Sequence, residues 1–240
     1  MLFTFLQADA EVLEGAVAPV REELSFSLID MAAKGGWLMI VLAILSVVAI
    51  YIFAEKLYSI RKASKVEKNF IKDVNDYLME GKVRSARMLC KRSESSVARM
   101  IEKGVTRMDK PLEDIRGAVE NAANLEVAKL EKGLPALATI AGGAPMIGFL
   151  GTVMGMVQAF FNMAQAGNNI DITLLSGGIY TAMVTTVGGL IVGILAYFGY
   201  NYLTAEVSGV VSKMEATTIE FLDAVQARKD AAAKAAAGEA

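Results

Sequence analysis

The chain has 240 residues, 54% of them hydrophobic, and its mean hydropathy of +0.43 is too high for an ordinary soluble domain. The formal net charge of -2 gives no indication of a nucleic-acid partner, so we expect none. One cysteine and no histidine exclude an internal disulfide, a Cys/His metal site and a histidine proton relay. We expect a membrane protein without metal or cofactor, and the sequence contains no nucleophile–base arrangement typical of an enzyme.

The first segment, residues 1–35, precedes the long apolar runs. Its apolar positions Leu24, Leu28 and Met31 recur at helical spacing among acidic residues. This pattern predicts an amphipathic helix lying on the outer face of the membrane, in a periplasmic N-terminal segment.

Three runs of the sequence carry no charged residue: 37–54, 133–170 and 172–205. A helix needs about 20 apolar residues to cross a hydrocarbon core of about 30 Å, so each run is long enough. The sequence therefore predicts an all-α integral membrane protein with three transmembrane helices. The predicted spans are 36–58, 134–166 (with a cytoplasmic extension) and 173–203, with a periplasmic turn at 167–172.

Two charged segments flank these spans. Residues 59–133 are rich in helix formers, with apolar positions at helical spacing and a break at Gly81, which predicts a helical domain. Residues 204–240 predict a further helix that ends in a low-complexity tail.

The distribution of basic residues predicts the orientation. Of the 24 Lys and Arg residues, 18 lie between Lys56 and Lys132, and many of them follow the first span closely. Basic loops remain in the cytoplasm, so we expect the N-terminus and the short turn outside and the helical domain and C-terminus inside.

Small residues recur in the second and third runs. Residues four apart on a helix lie on one face, and small side chains there allow another helix to approach closely. We expect helix packing at these glycines, with spans of neighbouring subunits forming a closed ring, and a helix kink at Pro145. The packing glycines are Gly148, Gly151, Gly155, Gly188, Gly189 and Gly193. Packing within one subunit is the alternative explanation.

Threonines accompany the glycines. Thr181 and Thr185 share one helix face, Thr186 lies about 100° further round, and Thr152 occupies a comparable depth in the second span. Together they predict a narrow polar stripe lining a pore. A hydroxyl donates and accepts hydrogen bonds but does not titrate, and the second and third spans contain no Asp, Glu or His. If the protein moves protons, the titrating group must therefore come from another chain.

Two stretches carry a resemblance to a known family. The stretch "GFLGTVMG" at 148–155 matches a glycine-rich family motif with its threonine at Thr152, and "GIYTAMVTTVGGL" at 178–190 places the second family threonine at Thr186. In this order and topology, nearly the whole chain resembles the ExbB/TolQ/MotA proton-channel family, and its ExbB branch most closely.

The resemblance implies a homopentamer in the inner membrane of a Gram-negative bacterium. Its second and third spans would enclose a dimer of single-span partners of the ExbD/TolR type, each bearing an aspartate. Proton flow past that aspartate would drive rotation, and a TonB-like protein would pass the motion to outer-membrane transport.

One position departs from the family pattern, and alternatives remain open. Many relatives carry a glutamate where this chain has Thr181, which leaves the partner's aspartate as the carboxylate on the path. A TolQ-like or gliding-motor subunit fits the same motifs. A membrane scaffold without an ion pathway is a remote alternative, in which the threonines only satisfy backbone carbonyls.

Overall fold

The computed structural model describes residues 36–65, 69–165 and 172–238, and every regular element in these ranges is an α-helix. This confirms the predicted all-α fold. The predicted periplasmic segment 1–35 lies outside the described residues, as does the predicted turn except for Ile172. The helices are α1 (Trp37–Ser64), α2 (Phe70–Met79), α3 (Val83–Arg92), α4 (Ser96–Thr106), α5 (Leu112–Glu131), α6 (Leu134–Gln165) and α7 (Ile172–Gly238).

Three stretches of helix are long and apolar enough to cross a membrane, and they include α1, α6 and the first part of α7. The chain is thus a multi-pass membrane protein. At 1.5 Å per residue, the 67 residues of α7 extend about 100 Å, far more than a bilayer requires. Helix α7 therefore joins the predicted third span and the predicted C-terminal helix into one element.

Helices α2 to α5 form the helical domain, and the predicted break at Gly81 is confirmed. Gly81 lies between α2 and α3 with φ of 76°, a left-handed conformation that favours glycine. The domain packs on the distal half of α7, where Phe221 is fully buried. A Cβ placed on Gly104 of α4 would lie only 2.6 Å from the Phe221 ring, so these two helices are in close contact.

Helices α6 and α7 run antiparallel and pack along most of the apolar region, because contacts early in α6 involve residues late in α7. Gly193 faces Pro145, whereas Gly178 faces Ala159. Helix α6 continues through Pro145 without a break. The predicted kink at this proline stays a prediction.

Helix α1 covers one side of this pair. Its buried Leu42 is 1% exposed, and its Met39 side chain occupies the space that a Cβ on Gly188 would need. Further along α1, Phe53 lies against Gly199 of α7. The three long helices therefore form one bundle, with α7 in contact with both others.

Candidate functional site

The site begins with a contact between α6 and α7 that is built from residues with small side chains. A Cβ placed on Gly189 would lie 2.6 Å from the carbonyl oxygen of Ala144 and 2.9 Å from the Cα of Gly148. A Cβ on Gly155 would similarly lie 2.8 Å from the Cβ of Ala182. Such approach of two backbones requires glycine, and it is how helices pack where lipid provides no hydrophobic driving force.

All six predicted packing glycines make their contacts within one chain. Gly148, Gly155, Gly189 and Gly193 lie between α6 and α7, Gly151 lies against Thr185, and Gly188 lies against Met39. These contacts are those of packing within one subunit, and the closed ring of neighbouring subunits stays a prediction. A leucine at Gly151 would clash inside the subunit itself, so its effect on an oligomer would be indirect.

The close contact brings Thr152 of α6 and Thr186 of α7 together. Their hydroxyl oxygens are within hydrogen-bonding distance of each other, and either hydroxyl can donate. The Thr186 hydroxyl also lies 3.1 Å from the carbonyl oxygen of Gly148, and the Thr152 hydroxyl lies 3.1 Å from that of Ala182. The structure thus places two hydroxyls and two carbonyls in one oxygen cluster, within a region that carries no charge.

Counting hydrogens shows what this oxygen cluster can do. The two hydroxyls contribute two hydrogens, but four oxygen–oxygen approaches compete for them, including a longer one of 3.5 Å between Thr152 and the Gly148 carbonyl. A hydroxyl hydrogen rotates to suit its partners, so donors and acceptors can exchange without movement of either helix. The cluster can therefore donate a hydrogen bond to a water or a carboxylate, and it can also accept one from a water.

The other two predicted threonines are placed differently. Thr185 is 1% exposed, its methyl group lies against Gly151, and its hydroxyl donates to the Thr181 carbonyl oxygen at 2.9 Å. Thr181 is half-buried one turn from Thr185. The structure therefore unites Thr152 with Thr186 but places Thr185 against Gly151 of α6, near Leu38 of α1, and a pore contact for Thr185 stays a prediction.

The sequence analysis overlooked three small residues that complete this contact. A Cβ placed on Gly178 would lie 2.7 Å from the Cβ of Ala159, and the Ala182 carbonyl accepts from Thr152. A signal was present, because Gly178 and Ala182, like Gly155 and Ala159, are small residues four apart.

Large apolar side chains cover the outward surface of the two helices. Phe149 and Val157 of α6 and Met183 and Leu195 of α7 are all more than half exposed. A soluble protein rarely exposes so much contiguous apolar surface, whereas lipid or further membrane helices can cover it. The oxygen cluster therefore lies among surfaces that suit contact with other chains in the membrane.

Outside the membrane region, the helical domain contains a buried carboxylate. Glu126 of α5 is 5% exposed and accepts hydrogen bonds from Ser96 at 3.3 Å, from Arg99 Nε at 2.7 Å and from Lys129 Nζ at 2.7 Å. Burial by itself raises the pKa of Glu126, but the hydrogen bonds from Arg99 and Lys129 outweigh it and hold the pKa below its usual value. The Glu126 carboxylate therefore links α4 to α5 through hydrogen bonds.

Comparison with known proteins addresses the same region. A relative from Methanothermobacter thermautotrophicus, named as a putative biopolymer transport protein ExbB homolog, is 27% identical over 190 residues, covering 79% of this chain and 67% of that protein. The biopolymer transport protein ExbB of Xanthomonas campestris is 34% identical over 98 residues, 41% of this chain and 38% of the relative. The Tol-Pal system protein TolQ of Haemophilus influenzae is 35% identical over 105 residues, 42% of this chain and 46% of the relative.

The family match covers both halves of the site. Residues 92–216, more than half of the chain, match the MotA/TolQ/ExbB proton channel family, and this range includes Thr152, Thr186 and the six packing glycines. It is a family of transport proteins and not of enzymes. With three apolar helices and a family match over more than half of its length, the chain belongs to the MotA/TolQ/ExbB proton channel family.

Proposed function

We propose that this chain is the ring-forming subunit of an ExbB-type, proton-driven motor in the inner membrane of a Gram-negative bacterium. The observation that carries the proposal is the cross-helix hydroxyl pair of Thr152 and Thr186 in a region without charge. In this proposal the pair, together with Thr181, faces a central pore formed by copies of α6 and α7.

The titrating group in this proposal belongs to a partner. A buried carboxylate without hydrogen bonds is strongly disfavoured as an anion and stays protonated. Hydroxyls and a few waters reduce that cost, so the carboxylate can release and regain a proton within each cycle. We propose a single-span partner of the ExbD/TolR type, present as a dimer in a homopentamer, that places an aspartate beside Thr152 and Thr186.

The absence of a carboxylate from this chain's own spans supports the assignment. The position where many relatives have glutamate is Thr181, which is half-buried on α7 and precedes Ala182, whose carbonyl belongs to the oxygen cluster. In the proposed motor the partner's aspartate is then the carboxylate on the path. Rotation would be passed to a TonB-like protein that energises outer-membrane transport.

The test is the double variant Thr152→Val, Thr186→Val. Valine has nearly the shape of threonine but no hydroxyl, so fold and oligomer yield should be preserved. Motor-dependent uptake should fall about tenfold or more, corresponding to at least about 1.4 kcal/mol in the rate-limiting step. The assay is uptake or growth that depends on the motor, with purified oligomer measured in parallel.

Two results would count against the proposal in different ways. Full uptake by the double valine variant would favour the scaffold alternative, in which the hydroxyls serve packing alone. Co-purification of a TolR-like or gliding-motor partner in place of an ExbD-like one would keep the channel but move the chain to another branch of the family. The matches to both ExbB and TolQ relatives make this partner identification decisive.

A further inference from the structure

A groove of about 410 Å³ opens between α1 and α7, on a different part of the bundle from the oxygen cluster. Its lining is almost entirely apolar and aromatic, and its walls include Ile50 and Phe53 of α1 and Leu195 and Tyr202 of α7. Leu195 and Ile50 are each about two-thirds exposed, so the groove is open along its side. It therefore suits an apolar occupant that enters from the membrane.

The length of the groove suits part of one leaflet. Along α1 the lining extends from Ser46 to Phe53, a rise of about 10 Å along the helix. Half of a typical hydrocarbon core is about 15 Å. An extended acyl chain can thus lie against most of this wall.

A buried cation lies at one end of the groove. Lys56 follows Phe53 by about one helical turn, and Lys56 as a whole is only 9% exposed. Its side chain passes over Gly133, where a Cβ would lie 3.0 Å from the lysine Cε. Gly133 in turn precedes Leu137 of the groove by one turn. The lysine amine therefore lies beyond the end of the apolar lining that Phe53 and Leu137 form.

The Lys56 amine lacks a short acceptor among the described residues. Its nearest carboxylate is that of Glu55, at 3.8 Å, which is too long for a hydrogen bond. An ammonium group has three hydrogens to donate, and among the described residues the Lys56 Nζ is not one of the fully buried side-chain atoms without a partner, so the tip of the side chain is accessible to an acceptor. An anion that approaches from the open side of the groove can supply the acceptor that the amine lacks.

We propose that the groove binds one phospholipid, with an acyl chain along α1 and α7 and the lipid phosphate at the Lys56 amine. Charge and shape point to the same occupant: the apolar wall takes the chain, and the buried cation takes the phosphate. Tyr202 borders the groove near Phe53, with ring centres 6.4 Å apart, and tyrosine is common at the level of lipid headgroups. The groove shares no lining residue with the oxygen cluster.

The experiment counts lipids retained by the full chain. Protein reconstituted in vesicles of equal parts palmitoyl-oleoyl phosphatidylglycerol and palmitoyl-oleoyl phosphatidylcholine is re-extracted in mild detergent and weighed by native mass spectrometry. We expect one retained phospholipid per chain, with the anionic lipid favoured about fivefold, as attraction by a single lysine implies. Equal retention of the two lipids by the native chain would overturn the proposal.

Matched variants locate the retained lipid. Lys56→Met should reduce its retention about fivefold, whereas Lys56→Arg, which keeps the cation, and Lys62→Met should not. Lys62 is on the same helix but is half exposed and paired with Glu94 at 2.8 Å. Unchanged retention in Lys56→Met would contradict the proposal.

A photoreactive group on a cysteine at Ile50 identifies the occupant directly. In the reconstituted protein we expect adducts with phospholipid. Adducts with a second copy of the chain and none with lipid would mean that the groove is a contact between subunits, and would overturn the proposal. This measurement and the lipid comparison need no variant of Lys56 to fold.

Discussion

The hydroxyls of Thr152 and Thr186 have acceptors on the opposite helix. Thr139, Thr185 and Thr204 each donate to the carbonyl four residues earlier in their own helix. That local bond is the usual role of a threonine in a helix and carries no functional meaning. The hydrogen bonds of Thr152 and Thr186 instead cross between α6 and α7. They therefore form only when the two helices pack in the correct register.

The first residue-scale prediction separates Thr185 from this pair. Thr185→Val removes a bond within α7 and keeps the shape that fills the space beside Gly151. We expect stability to change by about 1 kcal/mol or less, because a single neutral hydrogen bond contributes about that much. Motor-dependent uptake should remain close to that of the native chain. A loss as large as that expected of the double valine variant would place Thr185 on the proton path.

The second residue-scale prediction concerns Glu126. Its pKa is lower in the folded protein than in the unfolded chain, so the folded state binds fewer protons. The resulting stability is complete above the ordinary glutamate pKa of about 4.3 and is lost as the pH falls through the lower, folded pKa. Thermal unfolding followed by circular dichroism should therefore show the helical domain weakening in acid.

Glu126→Gln provides the matched control for this acid sensitivity. It should be about 1–2 kcal/mol less stable than the native chain at pH 7, a modest value because solvent reaches both partners: Lys129 is largely exposed and Arg99 is partly exposed. The difference between the two proteins should shrink as the pH falls below about 4. A difference that stays constant with pH would mean that the carboxylate charge is not what stabilises this contact.

At the scale of helices, the contact between α6 and α7 fixes the register that creates the oxygen cluster. Gly148 of α6 meets Gly189 of α7, and this pairing places Thr152 one turn along α6 opposite Thr186. A side chain larger than hydrogen at either glycine must separate the helices or shift them. The threonine contact therefore depends on residues that carry no functional group.

A matched pair of substitutions tests this dependence. Gly189→Ala and Gly209→Ala both replace a glycine within α7, but a Cβ at Gly189 would lie 2.6 Å from the Ala144 carbonyl oxygen, whereas nothing lies within 4 Å at Gly209. We expect Gly189→Ala to destabilise by about 1–3 kcal/mol and Gly209→Ala to stabilise by about 0.5–1 kcal/mol. Thermal unfolding in detergent measures both. Equal effects would show that the two backbones separate easily at this contact.

The length of the charge-free runs was sufficient to predict the spans, and helix periodicity was sufficient to place Thr181 and Thr185 on one face, since both depend on residues close in sequence. It was not sufficient for the Thr152–Thr186 contact, which joins positions 34 residues apart. That contact depends on the angle and register at which two helices meet, and these follow from three-dimensional packing. For the same reason, nothing in the sequence indicated that Lys56 passes over Gly133.

At the scale of the whole molecule, the orientation predicted from the basic residues can be tested by cysteine labelling. The native thiol is unsuitable as a reporter, because Cys90 is 1% exposed and burial raises its pKa to about 12. A buried thiol of this kind stays unlabelled on either side of the membrane. The absence of labelling at Cys90 therefore gives no information about topology.

The labelling prediction uses single cysteines in a Cys90→Ala background. A membrane-impermeant maleimide added to spheroplasts should label a cysteine at Asn168 and should label one at Glu113, which is exposed, only after permeabilisation. Asn168 lies outside the described residues and is chosen from the predicted turn. The opposite pattern at these two positions would reverse the predicted orientation.

The length of α7 has a mechanical consequence. Thr186, at the oxygen cluster, and Phe221, in the core of the helical domain, belong to the same helix and are 35 residues, about 50 Å, apart. Any turn of α7 about its axis at Thr186 therefore also turns Phe221 against Gly104, unless the helix itself twists. Helix α7 therefore couples the two regions mechanically. The packing of Phe221 in the helical domain restricts the rotation of α7 that would reorient Thr186 in the membrane.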